Sequence, residues 1–318
     1  MEKQLAIKAY EKIKQAKNIL LVTHEKPDGD ALAASCALAE MLELLGKTYS
    51  IYCFDEPPYQ YNFLPYLEKF QTSHNLAQAD LLIVLDCGNL KRTMIDQEIN
   101  DQNGSKIIIE FDHHPKIDNY ADYEFRIVEA ASTTEVIYYF IKHNKIKINK
   151  NLANCLLTGI ITDTANFLYP STSSQTITIA SEMLTYGAKL PQIMENTWRN
   201  KSLSAMKTWG KAMAGLKINK AYNFAVSVLT KKDLDDNLTE EDMEGISGFL
   251  SNLDNVNGVL LLREQPDGNL KGSLRTYNPQ VDVSLLARLL GGGGHAKASG
   301  FTVEGKLEKT STGWKIVW

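Results

Sequence analysis

The chain has 318 residues, longer than a usual single domain, so two domains are expected. Apolar residues make up 44%, enough for ordinary cores, while no apolar run is long enough to span a bilayer, which argues against membrane-embedded helices. A net charge of −4 argues against a broad electrostatic grip on long duplex nucleic acid, but leaves room for a short phosphate-bearing substrate held by local contacts.

Met1 to Lys17 is a charged amphipathic segment without a long apolar centre, so a surface helix is expected rather than a signal peptide. The apolar run Ile19 to Val22 reads as a short buried strand. It is followed by Thr23-His24-Glu25-Lys26-Pro27-Asp28-Gly29-Asp30, and then by the Ala- and Leu-rich segment Ala31 to Leu45, which reads as a helix closed by Gly46. An imidazole and two carboxylates thus stand where a strand hands over to a helix, the edge at which open α/β sheets bind ligands. Taken alone, the stretch is equally readable as a polar loop with a helix cap at Asp30. Thr48 to Phe54 is a second strand candidate. Asp55 to Leu67 holds Pro57, Pro58 and Pro65 and reads as a loop, with its aromatics packed beneath it.

Ala79 to Leu85 is a strongly apolar strand ending in Asp86-Cys87-Gly88-Asn89. Ser105 to Phe111 is another, ending in Asp112-His113-His114-Pro115. Only six histidines occur in the chain, and three of them (His24, His113, His114) follow expected strands. Tyr123 to Val128 reads as a further strand. Ser132-Thr133-Thr134-Glu135 resembles a capping box opening a helix through Ile141. Asn151 to Ile161 is the next helix, running into Thr162-Asp163-Thr164. Strands alternating with helices through about residue 190 predict a parallel sheet with helices on both faces. Pro191 to Leu216 reads as a helical connector. From Lys217 onward, strands at Tyr222 to Leu229, Val259 to Glu264 and Gly272 to Thr276, with helices at Asp242 to Leu253 and Val283 to Leu290, predict a second, smaller α/β domain. The expected organisation is therefore 1–190, 191–216 and 217–318, with an active-site cleft between the two α/β domains. Cys36, Cys53, Cys87 and Cys155 are scattered, without the close pairs of a zinc site. They read as reduced core thiols of a cytoplasmic protein.

The groups expected at one edge of the first sheet are His24, Asp28, Asp30, Asp86, Asp112, His113, His114 and Asp163. So many carboxylates in one place raise one another's pKa unless cations neutralise them. Mixed imidazole and carboxylate ligation at two sites favours two Mn²⁺ ions, with Mg²⁺ or Co²⁺ as substitutes. In the second domain, Gly291 to Gly294 followed by His295 reads either as an anion-binding nest or as a flexible loop and helix stop after Leu290.

With these motifs the chain resembles the DHH family of phosphoesterases, whose namesake triplet is Asp112-His113-His114. The spacing His24-x-x-x-Asp28-x-Asp30 matches the family's first motif, and Asp86 and Asp163 match its second and fourth. The run Gly291 to His295 matches the DHH-associated domain found with RecJ exonuclease and the bacterial nanoRNases. The resemblance implies one ion on His24, Asp28 and Asp86, and a second on Asp30, Asp86, His113 and Asp163. It implies His114 as proton donor or transition-state stabiliser near the leaving oxygen, and Asp112 as the group orienting an imidazole. It further implies that Arg275, Gly293, Gly294 and His295 hold the terminal phosphate or nucleotide, with Ser299 and Thr276 as weaker candidates. Arg92, after the Asp86 strand, is placed to reach substrate but reads first as a solvated surface charge. Glu110, in the strand before the triplet and on a face expected to be buried, departs from the commonest family pattern.

The function so implied is a Mn²⁺-dependent phosphodiesterase cutting short oligoribonucleotides or dinucleotides to mononucleotides, with removal of the 3′-phosphate of 3′-phosphoadenosine 5′-phosphate (pAp) as a second activity. No long duplex and no membrane partner are expected, and a homodimer is compatible with the reading. The alternatives are a phosphodiesterase for c-di-AMP or pApA, a manganese pyrophosphatase, whose Ser-Arg-Lys signature is missing here, and a non-catalytic nucleotide sensor, which would lack ligands that this chain has.

Overall fold

A computed structural model describes residues 2–101, 104–235, 238–243, 245–310 and 313–317. Met1 and Glu244, which fall in segments expected to be helical, lie outside the described residues. The chain divides into two compact units, Met1–Asn200 and Lys201–Trp318. Among the described residues no helix is long and apolar enough to cross a membrane.

The first unit runs α1 (Lys3–Gln15), β1 (Asn18–Thr23), α2 (Gly29–Leu44), β2 (Thr48–Tyr52), β3 (Phe70–Gln71), β4 (Leu81–Leu85), α3 (Asp96–Asp101), β5 (Ile107–Asp112), β6 (Tyr123–Arg126), α4 (Thr133–His143), α5 (Lys150–Asp163), α6 (Ser174–Thr185) and α7 (Leu190–Thr197). Its six strands form one parallel sheet in the order β3-β2-β1-β4-β5-β6. The chain builds outward from β1 to β3, returns to the centre, and builds the other way from β4 to β6. The direction switches between β1 and β4, where loops diverge and leave a crevice.

Residues alternate between the two faces of the sheet, as a period of two requires. Ile19 and Leu21, Ile83 and Leu85, and Ile109 and Phe111 face the larger core, shared with α1, α2, α4 and α5. Leu20, Val22, Leu82, Val84 and Ile108 face a smaller core closed by Ile99 of α3 and short 3₁₀ turns. Both faces are covered, but unequally. Helix α2 is buried along almost its whole length and lies against α5. Its alanines permit this: Ala31, Ala33, Ala34, Ala37 and Ala39 bring neighbouring backbones close. Pro57, Pro58 and Pro65 keep 55–67 largely irregular, with Tyr61 buried and Tyr59 exposed.

The second unit contains α8 (Leu203–Ala214), β7 (Lys217–Asn219), β8 (Phe224–Leu229), α9 (Glu240–Met243), α10 (Ile246–Leu250), β9 (Gly258–Glu264), β10 (Asn269–Arg275), α11 (Val283–Leu289), β11 (Gly293–His295), β12 (Ala298–Glu304), β13 (Lys306–Lys309) and β14 (Trp314–Val317). A six-stranded mixed sheet has the order β11-β12-β10-β9-β8-β7, with only β8 and β9 parallel. Trp209, Ile246 and Leu250 pack on one side of it. Val283, Ala287 and Phe301 pack on the other. The expected connector thus consists of two helices, α7 at the end of the first unit and α8 at the start of the second.

Candidate metal centre

Strand ends and helix starts of the first unit bring the predicted acids and imidazoles together. Asp28 is the N-cap of α2: its Oδ1 accepts from the backbone N–H groups of Asp30 and Ala31, each at 3.1 Å. The cap is therefore Asp28 rather than Asp30, and Asp30, one residue into the helix, points inward. Asp30 is buried and takes three hydrogen bonds from the start of α4. Thr133 N donates to Oδ2 at 2.6 Å, and Thr134 N and Oγ1 donate to Oδ1 at 3.1 and 2.9 Å. The exposed N–H groups of a helix start suit a carboxylate. Room for it exists only because residue 159 is glycine, since a Cβ there would collide with Asp30 Oδ1 and the Thr134 side chain.

Asp86 follows β4 with φ +58°, in the left-handed region that non-glycine residues seldom enter. Backbone strain of this kind gathers at functional sites. Its two oxygens face opposite ways. Oδ2 lies 3.8 Å from His24 Nε2, and Oδ1 lies 3.7 Å from His113 Nε2 while accepting from Thr133 Oγ1 at 2.7 Å. His24 Nε2 is also 3.9 Å from Asp28 Oδ2, and His113 Nε2 is 3.3 Å from Asp163 Oδ2. Donor atoms of His24, Asp28 and Asp86 lie within 4.8 Å of one another, and so do those of Asp30, His113 and Asp163. A third such group is Asp86, Asp112 and His114.

Both metal-candidate histidines turn Nδ1 toward a backbone carbonyl, His24 to Glu25 at 2.6 Å and His113 to Ala130 at 3.2 Å. A ring nitrogen that donates there leaves its Nε2 lone pair free to ligate. Arg92 was expected at the surface. Instead its guanidinium lies 2.9 Å from His24 Nδ1 and donates to the Cys87 carbonyl. Nδ1 can serve only one of its two neighbours at a time: protonated it donates to Glu25, unprotonated it accepts from Arg92. Burial, helped by the Arg92 charge, pushes the His24 pKa down to about 4, so the ring is neutral at pH 7.

The acids respond to crowding. Burial first, then the charges of Asp30, Asp28, Asp112 and Asp163, push the Asp86 carboxyl far above its ordinary range. Burial also raises Asp30, against the opposing pull of His113. Asp112 behaves oppositely. Burial would raise it, but the hydrogen bond and charge of His114, with Arg126, outweigh that and hold it well below the usual carboxylate range. Its Oδ1 accepts from His114 N at 2.7 Å and Nδ1 at 2.9 Å, and its Oδ2 accepts from Gly88 N at 2.6 Å.

A divalent cation fits this donor set on two observations. His24 Nε2 is buried without a hydrogen-bond partner, yet two carboxylates face it at distances too long for hydrogen bonds and suited to a shared ion. Burial and the neighbouring acids raise the Asp86 carboxyl well above its ordinary range, as expected where the neutralising charge is a cation.

In the second unit, Arg275 ends β10, Ser299 lies in β12, and Gly293, Gly294 and His295 form β11. They occupy three neighbouring strands, with Arg275 paired to Ala298 and Gly294 to Ser299. The glycine run is therefore not a flexible loop. Gly291, at φ +76°, stops α11, while Gly292 and Gly294 carry no side chain because a Cβ would strike the Gly300 and Ala298 carbonyls. Gly293 is exposed, with nothing within 4 Å of a Cβ. Ser299 Oγ is buried and donates to the His295 carbonyl at 2.6 Å, and Thr276 Oγ1 donates to Asn257. Those two hydroxyls are spent within the fold. Sequence reasoning missed Thr133, Thr134, Gly159 and Arg92. The capping-box signature at Ser132 marked a helix start but not the carboxylate it would receive.

A family model described as the DHH family, N-terminal domain, matches residues 18–160, and one described as the DHHA1 domain matches residues 221–312. The chain is 32% identical, over 91% of its length and 90% of the relative's, to a probable bifunctional oligoribonuclease and PAP phosphatase NrnA of Streptococcus mutans. It is 29% identical, over 90% and 89%, to the bifunctional oligoribonuclease and PAP phosphatase NrnA of Bacillus subtilis. Among solved structures it is similar to an exopolyphosphatase-related protein from Bacteroides fragilis, with TM-score 0.83, 27% identity, and coverage of 95% of this chain and 92% of that one.

Proposed function

Because the chain belongs to the DHH family, with a DHHA1 domain in its second half, we propose that it is a metal-dependent phosphodiesterase that hydrolyses short oligoribonucleotides to mononucleotides and dephosphorylates pAp. The observation that carries this reading is Asp86, whose two carboxylate oxygens face two separate imidazole–carboxylate groups. In this reading His24, Asp28 and Asp86 would hold one Mn²⁺, and Asp30, Asp86, His113 and Asp163 a second. Divalent cations bound there supply positive charge to a phosphoryl group under attack and acidify water.

The chain's own groups do the rest. Asp112 accepts the Nδ1–H of His114 and orients the ring, whose Nε2 would give a proton to the departing oxygen. Thr133 and Thr134 fix the Asp30 carboxylate, and Thr133 also fixes Asp86, so neither ligand needs to reorganise as substrate arrives. Arg275, Gly293, Gly294 and His295 would hold the substrate's terminal phosphate. Residues 1–190 are read as the catalytic part and 217–318 as the substrate-holding part. The cytoplasm, a reducing compartment, suits the four free, buried cysteines.

The test is a panel of linear diribonucleotide, pAp, c-di-AMP, pyrophosphate and long single-stranded RNA, assayed with Mn²⁺. Turnover of the first two well above the rest is expected. Preferential turnover of c-di-AMP or pyrophosphate, or no difference between wild type and Asp86→Ala, would overturn the reading.

A further inference from the structure

Glu110, expected to be buried in the strand before the Asp112 triplet, has a partner in the structure. Glu110 and Asp112 stand two residues apart in β5, so their side chains leave the same face of the strand. Both are almost fully buried, with side chains 2% and 0% exposed. Arg126 is the register partner of Asp112 on the neighbouring edge strand β6, and its side chain is 4% exposed. Its Nη2 lies 2.6 Å from Glu110 Oε1 and 3.4 Å from Asp112 Oδ2, and its Nη1 donates to the His114 carbonyl at 2.6 Å. Tyr120 donates its hydroxyl to the same Glu110 oxygen. The remaining nitrogen, Nε, is 3.9 Å from Glu124, which is itself paired with Lys116.

This is more than a pair of charges neutralising each other. The His114 backbone is pinned on both sides, its N–H by Asp112 and its carbonyl by Arg126. The ring is held as well, with Nδ1 2.9 Å from Asp112 Oδ1 and 3.5 Å from Asp86 Oδ1. Glu110 completes the arrangement from behind. Arginine readily forks both nitrogens onto a single carboxylate. An Arg126 freed from Glu110 would turn onto Asp112 and compete with His114 for it. We propose that Arg126, anchored by Glu110, is a positioning residue that holds Asp112 and the His114 backbone in place and thereby fixes the orientation of the His114 ring. The consequence for turnover rests on the His114 role proposed above, whereas the ring geometry does not.

The test uses the full chain. Arg126→Met alone leaves Glu110 buried without a counter-charge and is expected to destabilise the fold. The double variant Glu110→Gln/Arg126→Met removes both charges and keeps an acceptor for Tyr120, so its thermal unfolding should stay near wild type. In protein labelled with ¹⁵N-histidine and assigned with His114→Ala, the wild-type His114 ring should give one sharp set of signals, as a single held orientation requires. In the double variant those signals should shift and broaden, because the ring and its backbone sample more than one orientation. With Mn²⁺ and a linear diribonucleotide, its kcat should fall about 10- to 100-fold at nearly unchanged KM, the range typical of lost outer-shell support. Arg126→Lys, which can reach one acceptor but not fork between two, should recover part of that loss. Unchanged His114 ring signals in a folded double variant would overturn the proposal, as would altered signals with full kcat. If the wild type hydrolyses no phosphodiester, the proposed function fails, while the ring signals still decide the positioning role.

Discussion

Asp86 concentrates the electrostatic problem of the site in one side chain. It is buried, backbone-strained, and pushed toward its protonated form by four other acids. Asp86→Asn removes the repulsion, keeps an acceptor for Thr133 Oγ1, and places a residue that tolerates left-handed backbone. Metal-free Asp86→Asn should therefore unfold at a higher temperature than metal-free wild type. Calorimetric titration with Mn²⁺ should at the same time lose both binding events, and turnover should disappear. His24 gives a pH prediction with a definite sign. Its folded pKa of about 4 lies below the ordinary 6.5, so the stability it contributes is full above about pH 6.5 and is lost as pH falls toward 4. The lost amount is on the order of 3 kcal/mol. Urea unfolding of the metal-free protein at pH 7 and pH 4.5 should show this loss, and His24→Leu should remove that part of the pH dependence.

At the scale of elements, the close approach of α2, α4 and α5 makes the acid pocket possible. Gly159→Ala would push a methyl into Asp30 and Thr134 and should cost about 1–3 kcal/mol, read as a lower melting temperature together with weaker Mn²⁺ binding. In the glycine run, structure separates two roles that the sequence merges. Gly292→Ala must strike the Gly300 carbonyl and should destabilise the protein, whereas Gly293→Ala meets open space and should leave the melting temperature unchanged. If Gly293 lines the phosphate subsite, that same variant should raise KM several-fold. The elements themselves were largely legible. Short, mainly apolar runs, each followed by a polar turn, with helices among them, specify parallel strands and put His24, Asp86 and His113 at one edge. What remained hidden depends on contacts between elements far apart in the chain. The pattern around Thr133 marks a helix start but cannot say that its amides receive Asp30. Arg92 looked like surface because nothing nearby in sequence marks the imidazole beside it. Glycines 291–294 were readable as an anion nest or as a loop and helix stop, and the pattern does not reveal the β12 strand paired with Gly293 and Gly294.

For the whole molecule, cation binding at these groups would be linked to folding stability, since the candidate ligands all come from the first unit's fold and an unfolded chain scatters them. Mn²⁺ at about 100 times its dissociation constant should stabilise the protein by roughly 2.7 kcal/mol per site. Melting curves recorded across a Mn²⁺ series should rise accordingly, and a chelator should reverse the rise. A melting temperature indifferent to Mn²⁺ would contradict the two-cluster reading of Asp86. The division into Met1–Asn200 and Lys201–Trp318 allows more than one unfolding transition. In that case only the transition of the first unit should move with Mn²⁺.

The sheet order carries a consequence for synthesis. The candidate ligands run from His24 to Asp163, on either side of a switch between β1 and β4, so the pocket closes only when segments some 140 positions apart meet. A nascent chain leaving the ribosome has no complete cation trap until Asp163 has emerged and α5 has docked against α2. Ribosome-bound chains arrested before that point should lack the manganese-binding event assigned to Asp30, Asp86, His113 and Asp163, and chains arrested soon after it should show it.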